Sequence, residues 1–301
     1  MASSVIHTEG LTKFYGKHQG LVDLDLEVRA GQVVGYLGPN GSGKTTTIRL
    51  LLDFIRPTRG RAEIFGMDTR AHSVDIRRRV GYLPGELETY DNLTAREMLI
   101  HFAHLRGRVD WRYAETLAER LDLDLSRSIK ALSKGNKQKL GLVQAFMHQP
   151  ELLLLDEPTS GLDPLMQQEF YRMAREATDE GRTVFLSSHV LAEVERIADR
   201  VGIIRGGQLV LEEEVAILKA KALRQLEVHF GEPVSAKAFA GLPGVRDVNA
   251  EGNVFHCTIE GSVDALIKVA AQFEVVNITS HEPDLEEIFL AYYTQGDGNA
   301  S

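Results

Sequence analysis

Gly38-Pro39-Asn40-Gly41-Ser42-Gly43-Lys44-Thr45 decides how this chain folds. The run matches G-x-x-x-x-G-K-[ST] in full. Its setting is the one the pattern needs, with a short apolar strand over 33–37 before it and a helical stretch over 44–54 after it. Glycines let successive backbone N–H groups turn inward on an anion with no Cβ in the way. The helix N-terminus adds the positive end of its dipole. Lys44 is placed to reach β- and γ-phosphates, the Thr45 hydroxyl to ligate Mg²⁺, and Thr46 joins the same first helical turn. A glycine-rich turn that merely caps an ordinary helix is the competing reading, and the agreement of motif and context speaks against it. A lysine serving only as a solvated charge would not need such a site. A contact to phosphate at ~4 Å is worth ~4 kcal/mol at an effective dielectric near ~20, against ~0–1 kcal/mol for an exposed ion pair.

Downstream, Leu152-Leu153-Leu154-Leu155-Asp156-Glu157 reads as a buried strand that ends in two acids. Charges in that position are costly unless employed, and ligands of α/β sheets sit at the carboxyl ends of strands. Asp156 is the candidate for an Mg²⁺ shell and Glu157 for polarising an attacking water, with helix capping as the alternative. His189 follows a strand over 183–186 and two serines, so that strand end faces the same edge. A lone histidine is usually structural; beside these motifs it reads as a γ-phosphate sensor.

Around these motifs, strands and helices alternate. Strands are expected over 5–15, 24–28, 62–65, 80–83, 201–204 and 208–211. Helices are expected over 94–123, opened by a Thr94/Glu97 capping box, and over 134–148, 164–180 and 190–200. That alternation predicts an α/β fold with a mainly parallel sheet. Composition changes near Leu218. From 226 to 279 the order is β-α-β-β-α-β, with a short helix over 235–242, which is the split arrangement of ferredoxin-like units. An apolar-faced helix over 285–293 and a frayed polar tail follow. The expected organisation is a domain over 1–218, with a helical subdomain at about 86–150, and a small α+β domain over 219–301.

The chain's 301 residues suit one larger and one smaller domain, and 43% apolar residues supply their cores. A formal net charge of −9 speaks against a nucleic-acid binder. The single cysteine, Cys257, excludes an internal disulfide and points to a reducing compartment; its strand-like neighbours suggest a half-buried structural thiol. Residues 1–10 lack a basic segment followed by an apolar run, so no signal peptide is expected. No apolar run approaches the ~20 residues of a membrane span. The chain is expected not to cross a bilayer itself, which leaves docking onto a membrane protein open.

One further ordered set narrows the class. Leu132-Ser133-Lys134-Gly135-Asn136 lies between the two motifs, then Asp156-Glu157-Pro158-Thr159-Ser160-Gly161-Leu162-Asp163-Pro164, then His189. Over about residues 5–215 the chain resembles the ATPase subunits of ATP-binding-cassette (ABC) transporters. The resemblance implies a P-loop NTPase domain of the ABC type, ATP and Mg²⁺ as ligands, and ATP hydrolysis. Tyr15 would stack on adenine, and residues 38–46 would hold the phosphates. Glu157 would be the catalytic base and His189 the switch histidine. Ser133, Lys134, Gly135 and Asn136 match the signature that meets the γ-phosphate held by a second subunit, and Asp163 the loop that communicates across the dimer. Ser133 as an N-cap would aim a positive helix end at that phosphate. Two chains, most simply identical, would close head to tail over two ATP molecules.

Two departures stand out. Lys134 and Asn136 replace the family's glycine and glutamine. Gly85 and Glu86 stand where the loop after Tyr82-Leu83-Pro84 usually carries a glutamine that touches Mg²⁺ and couples to the permease, with Glu86 as the candidate substitute. The stretch Glu282-Pro283-Asp284-Leu285-Glu286-Glu287-Ile288-Phe289-Leu290 resembles the ending of ATPases of ABC-2-type exporters, including daunorubicin-resistance-like systems. The family resemblance and this ending together imply drug efflux through a separate ABC-2-type membrane permease, with this chain on the cytoplasmic face of a bacterial membrane. The alternatives are an importer subunit, a degenerate regulatory ATPase, or a non-transport ABC ATPase acting on ribosomes or DNA. One P-loop, no sustained heptads and an acidic balance speak against the last.

Overall fold

The computed structural model describes residues 3–87, 90, 92–107, 109–221 and 224–281, and it divides into two units, Met1–Glu213 and Glu214–Ser301. The first unit opens with β1 (Ser4–Tyr15), β2 (His18–Arg29), β3 (Val33–Leu37), α1 (Lys44–Leu51), β4 (Arg59–Ile64), β5 (Met67–Asp68), α2 (Ser73–Arg79) and β6 (Val80–Leu83). Three helices follow, α3 (Ala95–Arg106), α4 (Trp111–Arg120) and α5 (Lys134–Phe146). The unit continues through β7 (Leu152–Asp156), α6 (Pro164–Asp179), β8 (Thr183–Ser188), α7 (Leu191–Ile197), β9 (Arg200–Arg205) and β10 (Gln208–Glu214).

Two sheets form it. One is antiparallel, in the order β2-β1-β4-β5. The other runs β10-β9-β3-β8-β7-β6, and its pairs from β9 through β6 are parallel. Every residue of β3, β7 and β8 is buried, which is what a strand covered on both faces requires and why the leucine run 152–155 shows no alternation. One apolar cluster joins Ile6, Leu24 and Val28 of the antiparallel sheet to Tyr36, Leu154 and Phe185 of the parallel one, with Ile48 and Leu51 of α1 in the same cluster. Each such side chain contributes ~1.5–3 kcal/mol by burial.

Several expected boundaries shift. The stretch 94–123 is two helices. Gly107 closes α3 at φ 92, and the Asp110 side chain caps α4 by accepting from Arg112 N. The Thr94/Glu97 capping box forms with both of its hydrogen bonds. Helix α1 stops before Phe54, because Asp53 turns left-handed at φ 58 and Phe54 N donates back to Arg49 O. Helix α7 ends at Ile197, and Ala198 is already extended toward β9. The short elements β5 and α2 have no counterpart in the sequence reading.

The second unit holds α8 (Val215–Lys221), β11 (Arg224–Phe230), β12 (Val245–Glu251), β13 (Val254–Ile259), α9 (Asp264–Ala270) and β14 (Val275–His281). Its sheet order β12-β13-β11-β14, antiparallel throughout, is that of a ferredoxin-like unit. The helix expected over 235–242 is only a 3₁₀ turn, Ala236–Ala238. Phe239 leaves the turn to bury itself against Phe255, 4.2 Å between ring centroids, and Gly241 at φ 78 prevents continuation. Cys257 is buried, and burial pushes its thiol up to about 11, which fits an inert packing role. The helix expected over 285–293 lies outside the described residues, and among those no helix is long and apolar enough to cross a membrane.

A candidate nucleotide site

Parallel strands end on one edge, so the loops after β3, β7 and β8 leave the sheet side by side. The register makes them level, with Leu37 opposite Ser188 and Asp156 opposite Ser187. Residues some 110–150 positions apart in sequence are thereby gathered around one cleft of about 320 Å³. Of the sequence-derived set, Tyr15, Asn40, Gly41, Ser42, Gly43, Lys44, Thr45, Thr46, Gly85, Asp156 and Glu157 line it. Gly38 and Pro39 do not, yet both carbonyl oxygens accept from Lys44 Nζ, at 2.5 and 3.2 Å.

The loop that opens α1 tolerates no larger residues at two of its glycines. A Cβ on Gly38 would lie 2.4 Å from the Ile204 carbonyl oxygen. Gly43, immediately before α1, has φ 113, a region closed to side-chain-bearing residues. The Ser42 hydroxyl is buried with no hydrogen-bond partner among the described residues, an orphan that the oxygen of a bound anion would satisfy.

Two clusters of charge converge here. Thr45 Oγ1 donates to Asp156 Oδ2 at 2.7 Å, and Ser187 Oγ donates to Asp156 Oδ1 at 2.5 Å, so both carboxylate oxygens of this buried aspartate are directed. Glu157 Oε1 lies 3.3 Å from the Lys44 ammonium, and Glu157 Oε2 lies 2.8 Å from His189 Nδ1. Glu157 itself is left-handed, φ 52, held there because its N–H donates to Ser187 O and Oγ, at 3.1 and 3.2 Å. A non-glycine residue pays ~1–2 kcal/mol for that conformation.

The remaining expected residues lie elsewhere. Ser133 caps α5, accepting from Asn136 N at 3.3 Å. Ser133 and Lys134 are exposed, and none of Ser133, Lys134, Gly135 or Asn136 lines the cleft of their own chain. Asp163 caps α6, accepting from Leu165 N and Met166 N at 3.0 Å each. Glu86 is exposed and does not line the cleft, whereas a Cβ on Gly85 would sit 3.2 Å from Asp156 Oδ2. A side chain at 85 would therefore crowd the aspartate.

Sequence reasoning missed three neighbours. Ser187 is visible only as part of a serine pair. Glu193 of α7 accepts from Thr159 Oγ1 at 2.6 Å and from Ser188 Oγ at 3.0 Å, tying the turn after Glu157 to the end of β8. Gln138 of α5 donates to the carbonyl oxygens of Glu157 and Pro158. Nothing in the sequence singles it out, since its burial follows only from how α5 packs.

Comparison with known proteins places this geometry in context. Residues 21–160 match the ABC transporter family profile. The bacitracin transport ATP-binding protein BcrA of Bacillus licheniformis is 36% identical, over 96% of this chain and 97% of that protein. The daunorubicin/doxorubicin resistance ATP-binding protein DrrA of Streptomyces peucetius is 37% identical, over 95% and 91%. Among solved structures, an ATP-binding subunit of an ABC transporter superposes with a TM-score of 0.67 and 30% identity, covering 71% of this chain and 92% of that one. A dimeric bacterial ABC transporter cassette, MJ0796, shares the fold at 24% identity and a TM-score of 0.65 over 70% of this chain and 98% of its own.

Proposed function

This chain belongs to the ABC transporter ATP-binding family, and we propose that it binds and hydrolyses Mg-ATP in the cleft before α1 to power an exporter through a separate membrane permease. The observation that carries the reading is the meeting of Lys44, Thr45, Asp156, Glu157 and His189, delivered by three different segments, at one edge of the sheet.

The residues fit the group they would hold. Among the described residues no three His, Cys, Asp or Glu side chains could hold a metal unaided. A hydroxyl and a carboxylate 2.7 Å apart are hard oxygen donors of the kind Mg²⁺ takes together with substrate phosphates and water. Thr45 and Asp156 would hold the ion, which when bound neutralises charge on the β- and γ-phosphates. Lys44 binds those phosphates from the loop side, and Tyr15, half exposed at the cleft wall, offers its ring to the base. Glu157 orients a water and accepts its proton, with His189 holding the second carboxylate oxygen. Gly85 supplies no side chain to this arrangement, so Asp156 and Glu157 carry it without the usual glutamine.

In this reading Ser133, Lys134, Gly135 and Asn136 serve the nucleotide of a second copy, which explains why they sit outside their own cleft. Asp163 joins that interface. The permease is of the ABC-2 type, reached at the loop of Gly85 and Glu86, and the chain works at the cytoplasmic face of the membrane. Relatives matched along nearly their whole length, named for bacitracin transport and for daunorubicin resistance, support export of drug-like compounds over import or a ribosomal or DNA role. The test is pull-down from native membranes with ATPase assay of the eluate. A co-purifying permease and magnesium-dependent hydrolysis lost in Glu157→Gln are expected; absence of ATP binding by the purified chain would overturn the reading.

A further inference from the structure

Glu157 has its carbonyl oxygen fixed as tightly as its amide. Gln138 is 5% exposed, and its Nε2 donates to Glu157 O and Pro158 O, both at 3.0 Å. Ser160 N donates to the same Glu157 carbonyl at 3.1 Å. The left-handed residue is thus held from two independent elements, β8 on its amide side and α5 on its carbonyl side.

A second contact joins the same two pieces. A Cβ on Gly135 would lie 2.5 Å from Gly161 O, so the first turn of α5 packs backbone to backbone against the far end of the turn that begins at Glu157. Residues 157–161 and the start of α5 are therefore tied together at two separate points. Gln138 stands five residues beyond the Ser133 cap, about 7.5 Å along the helix axis. Over that length a hydrogen-bonded helix is a stiff rod.

We propose that Gln138 is a positioning residue for hydrolysis: it transmits the placement of the α5 N-terminus to the backbone of Glu157 and so sets where the base stands. This rests on the reading of Glu157 as the base. Gln138 does not line the cleft, so its effect belongs to turnover and not to nucleotide capture. The amide is needed as a donor to two carbonyl oxygens. A glutamate of the same shape presents a carboxylate to them and repels, until protonation restores one O–H donor.

The experiment compares Gln138→Glu, Gln138→Leu and Glu157→Gln in the full chain, measuring melting temperature, ATP affinity, KM, and kcat from pH 6 to 9. Both Gln138 variants are expected to lose roughly 10–100-fold in kcat, the scale of a displaced reacting group, with KM and ATP affinity near wild type. The Gln138→Glu deficit shrinks as pH falls, whereas the Gln138→Leu deficit is independent of pH. Wild-type kcat in both variants overturns the proposal. So does a deficit in Gln138→Glu that is constant with pH and tracks a lower melting temperature, since that is merely structural. If Glu157→Gln retains turnover, the base reading itself falls and the proposal with it, an outcome distinct from the others.

Discussion

Replacing Gly135 by alanine tests the packing on which the site's back wall depends. The added Cβ would stand 2.5 Å from Gly161 O and 3.6 Å from Gly161 C. Ordinary C···O approach is about 3.3 Å or more, so the first turn of α5 and the turn at Gly161 must separate by roughly 0.8 Å. Both partners are backbone, and no rotamer change relieves the clash. Overpacking of this kind costs about 1–3 kcal/mol, and a domain of this size loses about 2–4 °C per kcal/mol. The expected fall in melting temperature is therefore about 2–12 °C, read by circular dichroism. Lys134→Ala, one residue earlier and exposed, is the control and stays within ~0.5 kcal/mol. A shift near 1 Å behind the proposed base also lowers turnover by about 10²-fold, while ATP affinity of the monomeric chain is kept because Gly135 lies outside its own cleft. A Gly135→Ala chain that melts and hydrolyses like wild type would refute the close packing of α5 against Gly161.

Glu157→Gln is expected to cut turnover by about 10²–10⁴-fold in a steady-state phosphate-release assay, the scale of a lost general base, with ATP still bound. Lys44→Ala weakens ATP binding in titration calorimetry, because its ammonium is the buried cation of the cleft; unchanged affinity would remove the phosphate cradle from the reading. Burial, with the Arg106 guanidinium beside it, pushes the His148 imidazole down from 6.5 to about 4. The unfolded chain takes up that proton first, so stability falls as pH drops from about 6.5 toward 4, by up to ~3 kcal/mol, and is fully present above 6.5. Denaturant melts across that window should show it, and His148→Gln should remove that part of the slope.

Much of this was legible because local chemistry and tertiary role coincide. The eight residues from Gly38 to Thr45 need glycine for backbone reasons and lysine for charge reasons, and each is visible in isolation. The leucines before Asp156 announce a strand covered on both faces. The Thr94 capping box is a four-residue signal and forms as read. Errors fell where tertiary packing overrides a local pattern. Phe239 sits in a stretch that reads as a short helix, yet the chain gives up the helix to bury the ring. Gly107 lies inside a charged, periodic stretch that reads as one helix, and its φ of 92 divides two.

What the sequence does not carry is strand order. Periodicity identifies β3, β7 and β8 as buried strands, but nothing in it says that β8 lies between the other two. That placement puts Ser187 within reach of Asp156 Oδ1 and of the Glu157 amide, and His189 within reach of Glu157 Oε2. The same holds for Gln138 and Glu193. Each is an ordinary polar residue on a helix, and each acquires meaning only because its helix is brought against the turn 157–161 from a different direction. Motif reading finds the groups that would touch a nucleotide, since phosphate chemistry restricts them to few residue types. It overlooks the groups that hold those in place, because a carbonyl oxygen accepts from many donors and geometry alone selects among them. A glutamate held left-handed at the end of a strand depends on that second set as much as a bound nucleotide would depend on the first.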